Sequence, residues 1–359
     1  MARARGSPNV PGLAGAPELE VIEGDHLRFE YTPTLTPCAG NARTLDELVP
    51  FFQQNLARPD LPRLRYTWHD GDPRVSRARR SSECAGNGCT RGTHAISGFP
   101  FLRHELVHAV MHGDSKPFFE EGIAMALAPL DSTDITSLEG PRYLPASDGE
   151  RLPDPRDTME AGDSDGVDYA TAGSFVAFLL IHHGSEKLGR LHDRLNPGDS
   201  LSRIRRVFRQ IYGVALDAEV ERFRTGVPCP EHPFPLLPAE CNAPLVPWIG
   251  DAWNHGQILS CEGESVAGGL DEGGHGVAQR AVTLDLDAPG EYVITLDADA
   301  GAALRFGPCF GCPWDHADVL LDDALPEVQR ALPAGRYYAL VYADAQLSPR
   351  VGVSVVPTR

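Results

Sequence analysis

The sequence lacks a hydrophobic run long enough to cross a membrane. A spanning helix needs about 18 or more apolar residues, and the longest apolar stretch, from Phe175 to Ile181, is far shorter. Basic residues are also scarce: 32 Lys and Arg stand against 50 Asp and Glu, for a formal charge of −18. Nucleic acids and anionic membranes bind basic surfaces. We therefore expect neither a membrane span nor a nucleic-acid partner.

The chain has 359 residues, of which 42% are hydrophobic. This is enough for a sizeable core and about two domains. Its eight cysteines predict disulfide bonds and an oxidising compartment. The first residues, MARARGSPNVPGLAGAPE, carry positive charge without the apolar core of a signal peptide. These first residues therefore do not supply the targeting segment that export needs. From the cysteines we expect a secreted, periplasmic or cell-surface protein.

The segment FLRHELVHAVMH places His104, Glu105 and His108 in the pattern HExxH. On an α-helix, residues four apart lie on one face, so both imidazoles can bind one metal ion while Glu105 reaches a water molecule on it. Zinc is the metal that this pattern predicts. The alternative is a core helix with a polar side, but two histidines and a glutamate in an apolar helix need partners, which a metal provides.

A catalytic zinc ion needs a third protein ligand. His112 continues the helical stripe but would lie about 12 Å from His104 along the axis, too far for the same ion. Asp114 stands where the metzincin pattern HExxHxxGxxH/D has its last ligand. That pattern needs a Gly to turn the chain, and Met111 occupies the position.

Glu120 and Glu121 are the remaining candidates, in a second helix that is predicted to begin near Pro117. Periodicity does not separate them, because both have apolar neighbours three and four residues on. Lys116 precedes Glu120 by four residues and is placed to pair with it, which would leave Glu121 for the metal.

The residues Glu121-Gly122-Ile123-Ala124 match the motif E-G-x-A. In this respect the chain resembles the gluzincin (peptidase MA-like) zinc metallopeptidases, in which a Glu on the helix after HExxH is the third ligand. The resemblance selects Glu121 over Glu120. It implies Zn²⁺ bound by His104, His108 and Glu121, a catalytic Glu105 and a peptide or protein substrate.

A later segment that begins at Tyr169, YATAGSFVAFLLI, resembles the helix Y-x-x-A-G-S-F found after the zinc site in small bacterial members of this family. A phenol at Tyr169 could stabilise the oxyanion of a tetrahedral intermediate. It could equally be packed beneath the zinc helices. His182 and His183 end the apolar helix, and we interpret them as charges that complement its dipole.

The pattern changes along the chain and predicts four parts: a flexible tail (1–24), a zincin-like domain with a small sheet followed by helices (25–228), a Pro-rich linker (229–250) and a β-sandwich (251–359). One amphipathic helix is expected between Leu201 and Arg224. APGEY and LPAGRYY resemble the bacterial pre-peptidase C-terminal domain. Its scattered aspartates are expected in turns, with calcium binding as the alternative: Asp285, Asp287, Asp297, Asp299, Asp315, Asp318, Asp322 and Asp323.

Two cysteine pairs are close in sequence, Cys84 with Cys89 and Cys309 with Cys312, and each is expected to close a small ring. The connectivity of Cys38, Cys229, Cys241 and Cys261 stays open. A structural zinc site built on Cys309 and Cys312 is the alternative, although the sequence has no second CxxC.

The sequence therefore predicts an α+β fold: a zincin-like catalytic domain followed by an all-β, jelly-roll-like sandwich. The predicted activity is that of a zinc metallopeptidase, in which Glu105 transfers the water proton to the leaving amine. Two alternatives remain, a catalytically silent zincin that acts as a binding module and a zinc hydrolase of a non-peptide amide or ester.

Overall fold

The computed structural model describes residues 19–69, 88–128, 153–228, 230–231, 239–270, 274, 276–310 and 318–358. The chain is α+β, as predicted, with helices near the middle and antiparallel sheets towards the end. No helix in these ranges is long and apolar enough to cross a membrane.

The first sheet has five strands in the order β1-β2-β4-β6-β5. Strands β2, β4 and β6 are parallel, and antiparallel strands β1 and β5 lie at its edges. Residues of the predicted tail contribute to it, because Glu20–Glu23 pair with Leu27–Tyr31. The strands are β1 (Glu20–Glu23), β2 (Leu27–Tyr31), β4 (Leu64–Trp68), β5 (Gly88–Arg91) and β6 (His94–Ser97), with the short β3 (Thr36–Pro37) between β2 and β4 in the chain.

Seven helices in the described ranges pack with this sheet around one apolar core. The single helix expected between Leu201 and Arg224 is two helices, because Gly213 adopts φ +79° and ends the first. The helices are α1 (Asn41–Asn55), α2 (Arg103–Met111), α3 (Pro117–Leu127), α4 (Tyr169–His183), α5 (Ser185–His192), α6 (Leu201–Tyr212) and α7 (Leu216–Arg224).

Two antiparallel sheets towards the C-terminus enclose a second apolar core and form a β-sandwich. One has the strand order β13-β10-β15-β7 and the other β12-β11-β14-β9-β8-β3. The strands are β7 (Trp253–Ile258), β8 (Ala267–Leu270), β9 (Gly276–Leu286), β10 (Gly290–Ala298), β11 (Ala302–Pro308), β12 (Val319–Leu321), β13 (Glu327–Leu332), β14 (Gly335–Asp344) and β15 (Arg350–Pro357).

The sandwich is joined to the helical part at several points. Strand β3 pairs with β8 and so extends a sandwich sheet with N-terminal residues. Next to it, Cys38 forms a disulfide bond with Cys261, and the side-chain oxygen of Asn41 accepts the backbone N–H of Gly268 at 3.0 Å. The two parts therefore share a sheet, a covalent bond and a buried hydrogen bond.

The cysteine pairing differs from the expected small ring at Cys309. Cys309 bonds to Cys241, which lies in a 3₁₀ helix (Ala239–Asn242) of the predicted linker, so a ring between Cys309 and Cys312 is excluded. Cys89 is also disulfide-bonded. Cys84, Cys229 and Cys312 lie outside the described residues. Disulfide bonds favour an extracellular or periplasmic location.

Candidate metal centre

Helix α2 carries both histidines of the HExxH motif on one face. The Nε2 atoms of His104 and His108 lie 3.2 Å apart, as expected for residues one helical turn apart. Nδ1 of His104 lies 3.3 Å from the carbonyl oxygen of Ala128. A backbone carbonyl can only accept, so this contact is made by a protonated Nδ1, and Nε2 is the ring nitrogen that faces the site.

Glu121, on helix α3, completes the group. Its Oε2 lies 3.1 Å from Nε2 of His104 and 3.2 Å from Nε2 of His108. Zinc–ligand distances of about 2.0–2.1 Å in a tetrahedron place neighbouring ligand atoms about 3.3 Å apart. Two imidazoles and one carboxylate at this spacing fit the donor set of a catalytic zinc ion. They are also the one group of three potential ligands found in the part of the chain that the structure describes.

The charges at this group are strongly coupled in the protein without metal. Burial lowers the pKa of His108, but the hydrogen bond and charge of Glu121 outweigh it and raise that pKa to about 9. Burial raises the pKa of Glu121, but its hydrogen bonds to His104 and His108 outweigh burial and hold it well below the usual value. The carboxylate of Glu121 thus stabilises positive charge on the neighbouring imidazoles.

Gly122 explains how the helices reach this geometry. A Cβ atom at this position would lie 2.5 Å from Cγ2 of Val176 and 2.8 Å from the carbonyl oxygen of Ala172. Only glycine therefore allows α3 and α4 to approach this closely. The close packing brings Tyr169, the first residue of α4, to the ligands on α2 and α3.

Tyr169 lies beside the ligands. Its ring stacks on His104, with ring centroids 6.2 Å apart, and Glu121 and Ser164 are close enough to its hydroxyl to shift its pKa. Burial and the charge of Glu121 raise its pKa well above the usual value, so the phenol keeps its proton. The side chain packs against the ring of His104 and also lines the cavity.

Glu105 is 7% exposed and faces edge strand β5. The hydroxyl of Thr90 donates to its Oε2 at 2.9 Å and also contacts its backbone oxygen at 3.0 Å. A Cβ atom on Gly88 would lie 2.7 Å from Cγ of Glu105, so β5 passes in direct contact with this carboxylate. Neither Thr90 nor Gly88 was predicted as a site residue, because they approach Glu105 only through the pairing of β5 with β6.

These side chains line one cavity of about 640 Å³. The other ligand candidates also lie on its wall: His112, Asp114 and Glu120. None of them belongs to the three-ligand group. Glu120 instead accepts the backbone N–H of Ser115 at 2.5 Å.

Two expectations about individual charged residues need correction. Lys116 does not pair with Glu120: it is 1% exposed and its Nζ donates to the carbonyl oxygens of Glu160 and Pro197 at 3.0 and 2.6 Å. Burial and the charge of Arg222 lower the pKa of His182 to about 4, so its ring is neutral at pH 7 and adds no charge to the helix end.

Several of the aspartates considered for calcium have other partners. Asp285 pairs with Arg336, and Asp318 accepts from Arg305 and Tyr338. The turn carboxylate of Asp322 accepts two backbone N–H groups. Asp315 lies outside the described residues.

No protein-family model matches the chain, and no curated protein matches it. Among solved structures, the pre-peptidase C-terminal domain of a collagenase from Bacillus anthracis is 12% identical. That match covers 32% of this chain and 94% of that domain, with a TM-score of 0.19. PliG from Aeromonas hydrophila, a periplasmic inhibitor of g-type lysozyme, is 15% identical, with 32% of this chain and 97% of that chain covered and a TM-score of 0.21. These likenesses are weak and concern a third of the chain.

Proposed function

We propose that this protein is a zinc-dependent peptidase of gluzincin type that acts outside the cytoplasm. The observation that carries the proposal is the mutual spacing of 3.1–3.2 Å among Nε2 of His104, Nε2 of His108 and Oε2 of Glu121. Zinc held by these atoms would lower the pKa of a water molecule and polarise a substrate carbonyl.

The protein's own groups have separate roles in this reaction. The Glu105 carboxylate accepts the proton of the attacking water and passes it to the leaving nitrogen, while the Thr90 hydroxyl holds that carboxylate in place. The Tyr169 hydroxyl, protonated and directed into the site, donates a hydrogen bond to the oxygen that becomes negative in the transition state.

Strand β5 favours a peptide over other amides or esters. In the described residues β5 pairs with β6 on one side only, and Gly88 to Gly92 line the cavity. An extended peptide can add to such an edge through main-chain hydrogen bonds, which places its carbonyls beside Glu105. The disulfides Cys38–Cys261 and Cys241–Cys309 are typical of an oxidising compartment. They support a protein that is secreted, periplasmic or attached to the cell surface.

The test is a proteomic peptide-library digest combined with metal analysis. Wild-type protein is expected to hold one zinc ion per chain and to cleave peptides. Glu105→Gln is expected to keep the zinc and to lose hydrolysis, because it removes the proton acceptor and no ligand. Glu47→Gln, an exposed glutamate on α1, serves as the control and is expected to keep both. Hydrolysis that persists in Glu105→Gln would refute the mechanism.

A further inference from the structure

His192 is a buried side chain on the wall of the same cavity, and the reaction proposed above gives it no role. It is the last residue of α5 and is only 4% exposed. It lines the cavity with His108 and Glu120. Burial and the charge of Arg58 lower its pKa to about 4, so the ring is neutral at pH 7.

The neighbours of His192 determine where its single proton lies. Nδ1 is 3.5 Å from Oδ1 of Asp193, a carboxylate that can only accept, so the proton belongs on Nδ1. Nε2 then carries a lone pair. It faces Oε1 of Glu120 at a distance of 3.9 Å. This distance is too long for a hydrogen bond, and both atoms are acceptors. No described residue donates to Nε2 of His192.

Within the described residues no lysine or arginine pairs with Glu120 or Asp114, and the charge that acts on Glu120 from nearby is that of His108. Oε1 of Glu120 accepts the N–H of Ser115, while its Oε2 has no partner in the described ranges. Lys116, the nearest lysine in sequence, is directed to backbone carbonyls on the other side. Asp114 is exposed on the same wall, and none of the described side chains pairs with it. One imidazole lone pair and two carboxylates thus face the cavity together.

We propose that His192, Glu120 and Asp114 form a subsite that binds a basic side chain of the peptide substrate. An ammonium or guanidinium group supplies several N–H donors and a positive charge. It can therefore donate a hydrogen bond to Nε2 of His192 and pair with the two carboxylates. The subsite lies on the His108 side of the cavity. Tyr169, whose ring stacks on His104, lines the other side with Ser164 and Asp165. The inference rests on the proposed peptidase function and specifies its substrate class.

The test separates binding from turnover by using zinc-loaded Glu105→Gln protein. Two fluorescein-labelled heptapeptide pools, blocked at both ends, carry either arginine or citrulline at one fixed position in a small neutral background. Citrulline keeps the shape of arginine and removes its charge. Fluorescence anisotropy is expected to show about tenfold tighter binding of the arginine pool, the typical effect of a charge-assisted hydrogen bond.

Variants in the same background locate the preference. Glu120→Gln and Asp114→Asn are each expected to lower the arginine preference, and together to abolish it. His192→Phe, which keeps a ring without Nε2, is expected to lower it as well. Asp165→Asn removes one charge at the other end of the cavity and is the matched control, expected to keep the preference. Zinc content and thermal unfolding establish that each variant is folded.

Equal binding of the two pools would overturn the subsite, as would a preference that survives the Glu120→Gln and Asp114→Asn double change. Wild-type protein that cleaves both pools equally keeps the peptidase function and refutes the subsite. Arginine-selective binding without any cleavage by wild-type protein refutes the peptidase function and keeps the subsite.

Discussion

Arg103 and Glu240 form an ion pair in which both side chains are only 7% exposed. Arg103 is the first residue of α2, immediately before the candidate ligand His104, whereas Glu240 belongs to the 3₁₀ helix that leads into the sandwich. The charge of Arg103 outweighs burial and holds the pKa of Glu240 below its usual value. The start of the helix that carries the HExxH motif is thus tied to a residue far away in sequence.

We predict that Glu240→Gln lowers the free energy of unfolding by about 3–5 kcal/mol, because the buried guanidinium of Arg103 loses the carboxylate charge that it pairs with. Urea unfolding monitored by circular dichroism measures the change. The exposed pair Arg43–Glu47 is the matched control, and Glu47→Gln is expected to cost less than about 1 kcal/mol. A similar small effect for both variants would show that the buried pair contributes no more than a surface pair.

A second prediction separates the two adjacent glutamates. Glu121→Gln is expected to weaken zinc binding by about a hundredfold or more, because it replaces an anionic ligand with a neutral amide. Glu120→Gln and Asp114→Asn are expected to retain zinc. Competition with a chelator, followed by metal analysis, gives the affinities. If Asp114→Asn releases zinc and Glu121→Gln does not, the site is metzincin-like instead.

The third prediction concerns Tyr169. Tyr169→Phe keeps the ring that stacks on His104 and removes the hydroxyl, so zinc should stay bound while kcat falls by about 10²–10³-fold with a smaller change in KM. Steady-state kinetics on a peptide found by the library digest measures both constants. An unchanged kcat would assign Tyr169 to packing alone.

The fourth prediction concerns pH and His182, whose folded pKa of about 4 lies below the usual value of 6.5. The unfolded chain then binds the additional proton first, so stability falls as the pH drops from 6.5 towards 4. Its Nε2 is buried without a hydrogen-bond partner, and its ring packs on Phe178 with centroids 4.4 Å apart. His182→Phe should therefore reduce the loss of stability over this pH range, measured by urea unfolding at several pH values. An identical pH dependence in both proteins would contradict this account.

Local patterns predicted much of the candidate site. HExxH sets the spacing of His104 and His108 through helical geometry, and Glu121 follows on the next helix. A short segment of sequence therefore determines the positions of these three side chains. Residues from distant segments were not predictable, among them Thr90 on an edge strand and His192 at the end of α5. Their positions depend on strand pairing and helix packing, which no short pattern encodes.

The same distinction holds for the fold. Alternating strands and amphipathic helices gave the α+β class and the β-rich C-terminal part. The pairing of β3 with β8 and the bond between Cys241 and Cys309 connect segments that are far apart in sequence. No sequence motif links these segments. They could be found only from the three-dimensional structure.

The bond between Cys38 and Cys261, 223 residues apart, also sets an order of events during biogenesis. The HExxH and EGxA segments are close in the chain and can meet early, because local contacts form before distant ones. Cys38 and β3, by contrast, have to wait until the chain has been made through β8. A polypeptide that stops before residue 261 therefore leaves a thiol and a strand edge of its N-terminal part open to incorrect partners.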